Sequence, residues 1–314
     1  MTAAPEVLEA SPHLAAAGRL VLGGNVLGGK ADEATSHAVL DAYVDAGGRA
    51  VDSADVYSAW LPGNPGGDSE RVLGSWLASR GADRLSVATK GGMYGELQGT
   101  SPDVLRRALT GSLERLGLEA VDLYYAHRDD EDVPLDEALG GLSTFVDEGL
   151  THGYGLSNFT ADRLAEALRV CDRHGYHRPV AVQEKYNLVR RGLEADVLPL
   201  VHREGIGLLP YSSLHAGFLT GKYRPGQVGD EPSGPAKEAT RPLGQAVLAA
   251  LDEVAAAHAV TPTAVACAWL AAQDGVVAAL ASARDLDQAR DLLPALHLEL
   301  ASDEVAALEQ ASRR

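Results

Sequence analysis

Eight short apolar runs, separated by longer helical stretches, constrain the fold of this chain more than any other feature. They are LVLGG (20–24), RAVDS (49–53), RLSVATK (84–90), VDLYYAH (121–127), HGYGLS (152–157), VAVQ (180–183), IGLLPYS (206–212) and VVAALAS (276–282). Several are apolar at consecutive rather than alternate positions, as strands buried on both faces of a parallel sheet must be. The stretches between them carry helix signals. Residues 32–47 open with Asp32 and stop before Gly47-Gly48, while SPDVLRRALTGSLERLGL starts with Ser101 as cap and Pro102 in the first turn. TPTAVACAWLAAQ repeats that start from Thr261, and residues 134–149, 160–174 and 193–204 keep the same helical period. Strand and helix alternating through eight cycles predict a (β/α)8 TIM barrel. No G-x-G-x-x-G follows the first run, which argues against an open Rossmann sheet. With 314 residues and no internal repeat, one domain over 1–314 is expected.

The rhythm breaks once. After the seventh run, residues 215–242 (HAGFLTGKYRPGQVGDEPSGPAKEATRP) contain five glycines and four prolines, and residues 242–258 then read as an extra helix. A structureless stretch of that length is either disordered or functional. In a barrel it follows a strand and so lies at the C-terminal face, where active sites form, which predicts a lid over a ligand.

The same rule gives meaning to polar residues at strand ends. The second run ends at Asp52 with Tyr57 in the loop beyond, the third at Lys90 and the fourth at His127. On one face of a barrel these four side chains would surround a common point. A phenol is a weak acid at neutral pH. A neighbouring ammonium favours its ionised form, a histidine aids proton relay or orients a carbonyl oxygen, and an aspartate anchors the ammonium. Such a tyrosine can protonate the oxygen of a ketone as hydride arrives at carbon. The set contains no metal-binding trio, so the hydride must come from outside it.

With DSADVYS, the GGDSERVLGSWL helix start, DLYYAHRDD, GLSNF and YSSLHAGFLTGKY in this order, the chain resembles the aldo-keto reductases over roughly residues 18–310. The resemblance implies the barrel, a nicotinamide cofactor, and a catalytic tetrad falling on Asp52, Tyr57, Lys90 and His127. It further implies that Ser157, Asn158 and Gln183 hold the nicotinamide amide and that Tyr211 stacks on the nicotinamide face. Ser212, Leu214, Gly217 and Lys222 would meet the pyrophosphate under the glycine-rich loop. ASARDLDQARDLL would be the adenosine stretch, with Ser282 and Arg284 on the ribose 2′-phosphate and Gln288 on the adenine. An arginine fork suits a phosphate, which favours NADPH over NADH. Leu292 stands where the family often has Asn. The carbonyl substrate is expected against Asn25, Val26, Trp60, Tyr94, Arg128 and His215, residues of the loops around the tetrad.

Composition narrows the partners. A formal net charge of −17 argues against nucleic acid or an anionic membrane surface. No run approaches the roughly 18 apolar residues of a membrane span. MTAAPEVLEASPHL lacks the basic start and apolar core of a secretory signal. The two cysteines, Cys171 and Cys267, have no metal-ligand spacing and fit a reducing cytoplasm. Two other readings stay open: a non-catalytic NADPH-binding regulatory subunit of the same fold, and an unrelated metal-dependent barrel hydrolase built on His127, Asp129 and Asp130.

Overall fold

The computed structural model describes residues 5–224 and 233–313. Each apolar run contains a strand: β1 (Leu20–Gly23), β2 (Ala50–Asp52), β3 (Ser86–Gly91), β4 (Leu123–Ala126), β5 (Tyr154–Ser157), β6 (Ala181–Gln183), β7 (Gly207–Leu208) and β8 (Ala279–Ala281). Neighbours pair in parallel in the order β8-β1-β2-β3-β4-β5-β6-β7. A parallel bridge between Leu208 and Val276, with the Val277 amide donating to Leu208 O at 2.9 Å, joins the two ends. The sheet is thereby a closed (β/α)8 barrel. β7 is shorter than its apolar run because Pro210 has no N–H to continue the ladder. The Pro210 carbonyl instead accepts from Leu280 N at 3.1 Å.

The barrel interior is packed with Val21, Ala50, Ala88, Leu123, Tyr125, Ala181, Leu209 and Leu280. Tyr125 fills the middle only because β5 carries glycine opposite it: a Cβ on Gly155 would stand 2.4 Å from the Tyr125 ring. Two short helices before β1, Pro5–Glu9 and Pro12–Ala16, add Val7 and Leu14 to this cluster. They were not foreseen, because five-residue helices leave too few turns for a periodic signal.

Helix boundaries follow capping side chains at about half of the described helices. Asp32 Oδ1 accepts from Thr35 N at 2.8 Å ahead of Glu33–Asp45, and Thr261 Oγ1 accepts from Ala264 N at 3.4 Å ahead of Pro262–Ala271. Ser101 precedes Pro102–Leu116 as expected, but its side chain makes no capping bond. The helix expected over 193–204 is divided at Asp196 into a 3-10 turn, Gly192–Ala195, and a helix, Val197–Glu204. The extra helix, Pro242–His258, is present. The long loop before it is not structureless in its described parts: 3-10 segments occupy His215–Thr220 and Gly234–Thr240. The centre of the expected lid, residues 225–232, lies outside the described residues. No single described helix is long and apolar enough to cross a membrane.

Candidate functional site

Parallel strands bring all their C-terminal ends to one rim, and the polar residues gather there. Asp52 closes β2, Lys90 sits near the end of β3, His127 follows β4, and Ser157 and Gln183 close β5 and β6. Lys90 is completely buried and uses its three donors at once. Its Nζ donates to Asp52 Oδ2 at 2.5 Å, to Ser53 O at 2.6 Å and to Tyr57 Oη at 2.9 Å. Gln183 Nε2 reaches across the barrel mouth to Asp52 Oδ1 at 2.8 Å, so both carboxylate oxygens are engaged. The Tyr57 hydroxyl lies farther from Asp52 Oδ2, at 3.4 Å.

These distances correct one expectation. Lys90 does not hold Tyr57 below the usual tyrosine range. Burial, reinforced by Asp52, pushes the phenol well above its ordinary value of 10.0. The lysine charge is balanced 2.5 Å away by Asp52, whereas the loss of water around the phenol has no such counterweight. Tyr57 is therefore held as a neutral phenol, an acid. Burial also lowers Lys90, with Asp52 acting in the opposite direction. His127 is pulled down to about 3, first by burial and then by Lys90 and Arg128, so at neutral pH its ring is uncharged. It stands edge-on to Tyr57, with ring centroids 6.1 Å apart, and its Nδ1 is buried with no hydrogen-bond partner among the described residues.

Ser157, Asn158 and Gln183 are tied to one another. Ser157 Oγ donates to Gln183 O at 2.9 Å, and Asn158 Nδ2 donates to His127 O at 2.9 Å and to Ser157 Oγ at 3.0 Å. Tyr211 Oη donates to Asn158 Oδ1 at 2.5 Å, which links the β7 loop to this group. Both Asn158 N–H bonds are thus already engaged, and its oxygen accepts one hydrogen bond among the described residues. Backbone strain collects on the same rim. Ser58, Asn158, Ser212, His215 and Ala216 all have φ between 46° and 74°, a region that non-glycine residues occupy at a cost.

From Tyr57 a cleft of about 680 Å³ runs between the loops after β1, β7 and β8. Tyr211, Ser212, Leu214, Gly217, Lys222, Ser282, Arg284 and Gln288 line it, whereas Ser157, Asn158 and Gln183, expected to bind the same cofactor, are not part of its wall. Gly217 has φ +88°, a left-handed conformation that favours glycine, and a Cβ there would displace the flexible end of Lys222, whose Nζ lies 2.6 Å from the Cβ position. Among the described residues four cations face this space, Lys30, Lys185, Lys222 and Arg284, against one acid, Asp291. On a chain with net charge −17 such a concentration fits an anionic ligand. Lys30 and Lys185 were missed by the sequence reading, although both lie in loops that follow strands, where the barrel rule could have found them.

The profile of the aldo/keto reductase family matches residues 19–313. The chain belongs to the aldo/keto reductase family. It is 31% identical over 323 aligned residues to Protein tas of Escherichia coli, covering 92% of each chain. It is 31% identical to norsolorinic acid reductase B of Aspergillus parasiticus, over 90% of this chain and 76% of that one. A probable voltage-gated potassium channel subunit beta of Oryza sativa is 32% identical over 64% of this chain and 61% of its own length. Aldo/keto reductases are oxidoreductases that use nicotinamide cofactors, generally NADPH.

The residues expected around an aldo/keto reductase substrate are less well gathered. Asn25 and Val26 line the long cleft itself, and Asn25 Oδ1 accepts from Ser282 Oγ at 2.5 Å. Trp60 is 53% exposed and stands edge-on to Tyr57, centroids 6.0 Å apart. Tyr94 braces the same loop, donating its hydroxyl to Pro65 O. Arg128 is exposed beside His127, whereas His215 packs edge-on against Phe218 at 6.3 Å and is not part of the cleft wall. A metal trio on His127, Asp129 and Asp130 is overturned by family membership and by geometry. Asp129 is held by Arg163 at 2.8 and 3.1 Å, and among the described residues no three His, Cys, Asp or Glu could share an ion.

Proposed function

We propose that this protein reduces an aldehyde or ketone to the alcohol with NADPH. The observation that carries this reading is a phenol, Tyr57, hydrogen-bonded to a fully buried lysine, Lys90, at the end of a cation-lined cleft. Bound there, the reduced nicotinamide supplies hydride to the carbonyl carbon. Tyr57 donates its proton to the carbonyl oxygen. As negative charge develops on Tyr57 Oη, the 2.9 Å bond from Lys90 strengthens, and Asp52 fixes Lys90 in place. His127, uncharged, orients the carbonyl oxygen without competing for the proton.

The groups around the cleft suit the dinucleotide. Ser157, Asn158 and Gln183 form a rigid polar floor for the nicotinamide amide, and Tyr211, fixed through its hydroxyl, offers a ring face for stacking. Lys30, Lys185 and Lys222 supply positive charge for the phosphates, and Arg284 supplies a fork for the 2′-phosphate, which favours NADPH. The described parts of the β7 loop would gate release of the cofactor. Trp60 forms an apolar wall for the substrate, and Arg128 gives that end of the site its polar character. Two free, buried cysteines agree with a cytoplasmic setting.

The channel-subunit name of the rice relative supports a second reading, cofactor binding without turnover. Purified protein mixed with NADPH and a nitrobenzaldehyde separates the two. The reductase reading expects the cofactor to be oxidised at a rate that depends on the aldehyde. Tight NADPH binding with no oxidation across a panel of aldehydes and ketones would refute it.

A further inference from the structure

Behind the Asp52–Lys90 pair lies a second set of buried charges that the proposed reaction does not use. Glu70, fully buried on helix Asp68–Arg80, accepts from Arg115 Nε at 2.7 Å and from Thr89 Oγ1 at 2.5 Å. Asp55 is 1% exposed, and neither of its carboxyl oxygens has a hydrogen-bond partner among the described residues. Its backbone is locked: its N–H donates to Lys90 O at 3.1 Å and its carbonyl accepts from Gly67 N at 2.7 Å. Pairing off the charges leaves Asp55 alone, since Asp52 has Lys90 and Glu70 has Arg115. A buried carboxylate without a partner takes up a proton instead.

The groups that face Asp55 are Glu70, Arg115 on helix Pro102–Leu116, Lys90 on β3 and the Tyr124 phenol on β4. Burial first, and then Glu70, push its carboxyl up to about 7, with Arg115, the nearby Val56 backbone N–H and Lys90 acting in the opposite direction. The Tyr124 hydroxyl donates to Leu105 O at 3.0 Å and is no partner for it.

We propose that Asp55 is a positioning residue for proton transfer: as a neutral acid it leaves the field of Lys90 free to stabilise the charge forming on Tyr57, and on ionising it counteracts that field and slows the step. The proposal rests on the reductase reading. Asp55 touches no reacting atom; it acts through Lys90, whose own ionisation it favours. The direction follows from charge. Proton donation leaves Tyr57 negative, and a second uncompensated carboxylate nearby raises the energy of that state.

The test is the pH dependence of kcat for carbonyl reduction in the wild type and in Asp55→Asn, a neutral isostere. In the wild type, kcat falls by up to about tenfold as pH rises through neutrality, the effect of a one-unit change in Tyr57 acidity. Asp55→Asn keeps the low-pH rate across the range. A descending limb unchanged in Asp55→Asn overturns the proposal and leaves the reductase reading intact. Absence of carbonyl reduction in both proteins overturns the reading and the proposal together. A carboxyl-carbon NMR titration of the wild type, with the Asp55 signal identified by its loss in Asp55→Asn, needs no turnover. A signal that titrates near neutrality supports the proposal, and one already ionised well below neutrality overturns it. Should Asp55→Asn fail to fold, Asp55→Ser identifies the signal by its loss and supplies the same rate comparison.

Discussion

Replacing Tyr57 by Phe removes one oxygen and little else, so its effects on chemistry, binding and folding can be separated. Loss of a positioned general acid lowers kcat by about 10² to 10⁴, or about 3–5 kcal/mol of transition-state stabilisation. The cost to folding is far smaller. Tyr57 Oη accepts one good hydrogen bond, from Lys90, and Lys90 keeps Asp52 at 2.5 Å and Ser53 O at 2.6 Å. No buried charge is orphaned, and the stability change should be about 0.5–1.5 kcal/mol, the net worth of one hydrogen bond. Cofactor affinity should hold, because the ring that lines the cleft remains. Single-turnover oxidation of bound NADPH measures the chemistry. Fluorescence titration measures binding, with Trp60 only 6.0 Å from the Tyr57 ring as an intrinsic reporter. Urea unfolding measures stability. A kcat within about tenfold of the wild type would refute the assignment of Tyr57 as the acid. A fall in cofactor affinity matching the fall in kcat would refute it equally.

Two further outcomes follow from charge. Arg284→Ala should weaken NADPH about tenfold, the lower end expected for a charge-assisted phosphate contact at an exposed residue, and leave NADH within about twofold. Its side chain is 58% exposed with Asp285 at 3.5 Å. Competitive titration of the two cofactors checks this, and equal losses would remove the preference for NADPH. His13, 1% exposed under the barrel with its Nδ1 3.1 Å from Ser86 Oγ, is lowered by burial from 6.5 to about 4. The unfolded chain therefore binds the extra proton first. Its contribution is intact above pH 6.5 and is lost as pH falls towards 4, by about 3 kcal/mol in all. Urea midpoints across that range should fall less steeply in His13→Gln than in the wild type, and parallel slopes would refute the assignment.

Much of this protein was legible in one dimension. A strand covered on both faces must be apolar at every position, so eight buried strands left eight visible runs, and their parallel order put Asp52, Tyr57, Lys90 and His127 on one rim. The cap residues Asp32 and Thr261 marked helix starts because capping is a contact over three residues. The helices Pro5–Glu9 and Pro12–Ala16 left no such trace, being too short for a period, and only packing against the barrel floor defines them.

What the tertiary structure alone decided is the charge state of the site. The sequence places a lysine near a tyrosine but cannot say which wins, the attraction of an ammonium or the loss of water. The answer depends on Asp52 lying 2.5 Å from Lys90 across 38 residues of chain and on the complete burial of the group. Likewise, the strand end marks Asp52 in the sequence, but nothing local shows that Asp55 lacks a charged partner. One has a lysine and a glutamine as partners; the other shares its surroundings with Glu70, whose arginine comes from 45 residues away. Apolar periodicity is a property of neighbouring residues and survives in sequence. Electrostatic balance is a sum over space, and only the folded chain brings its terms together.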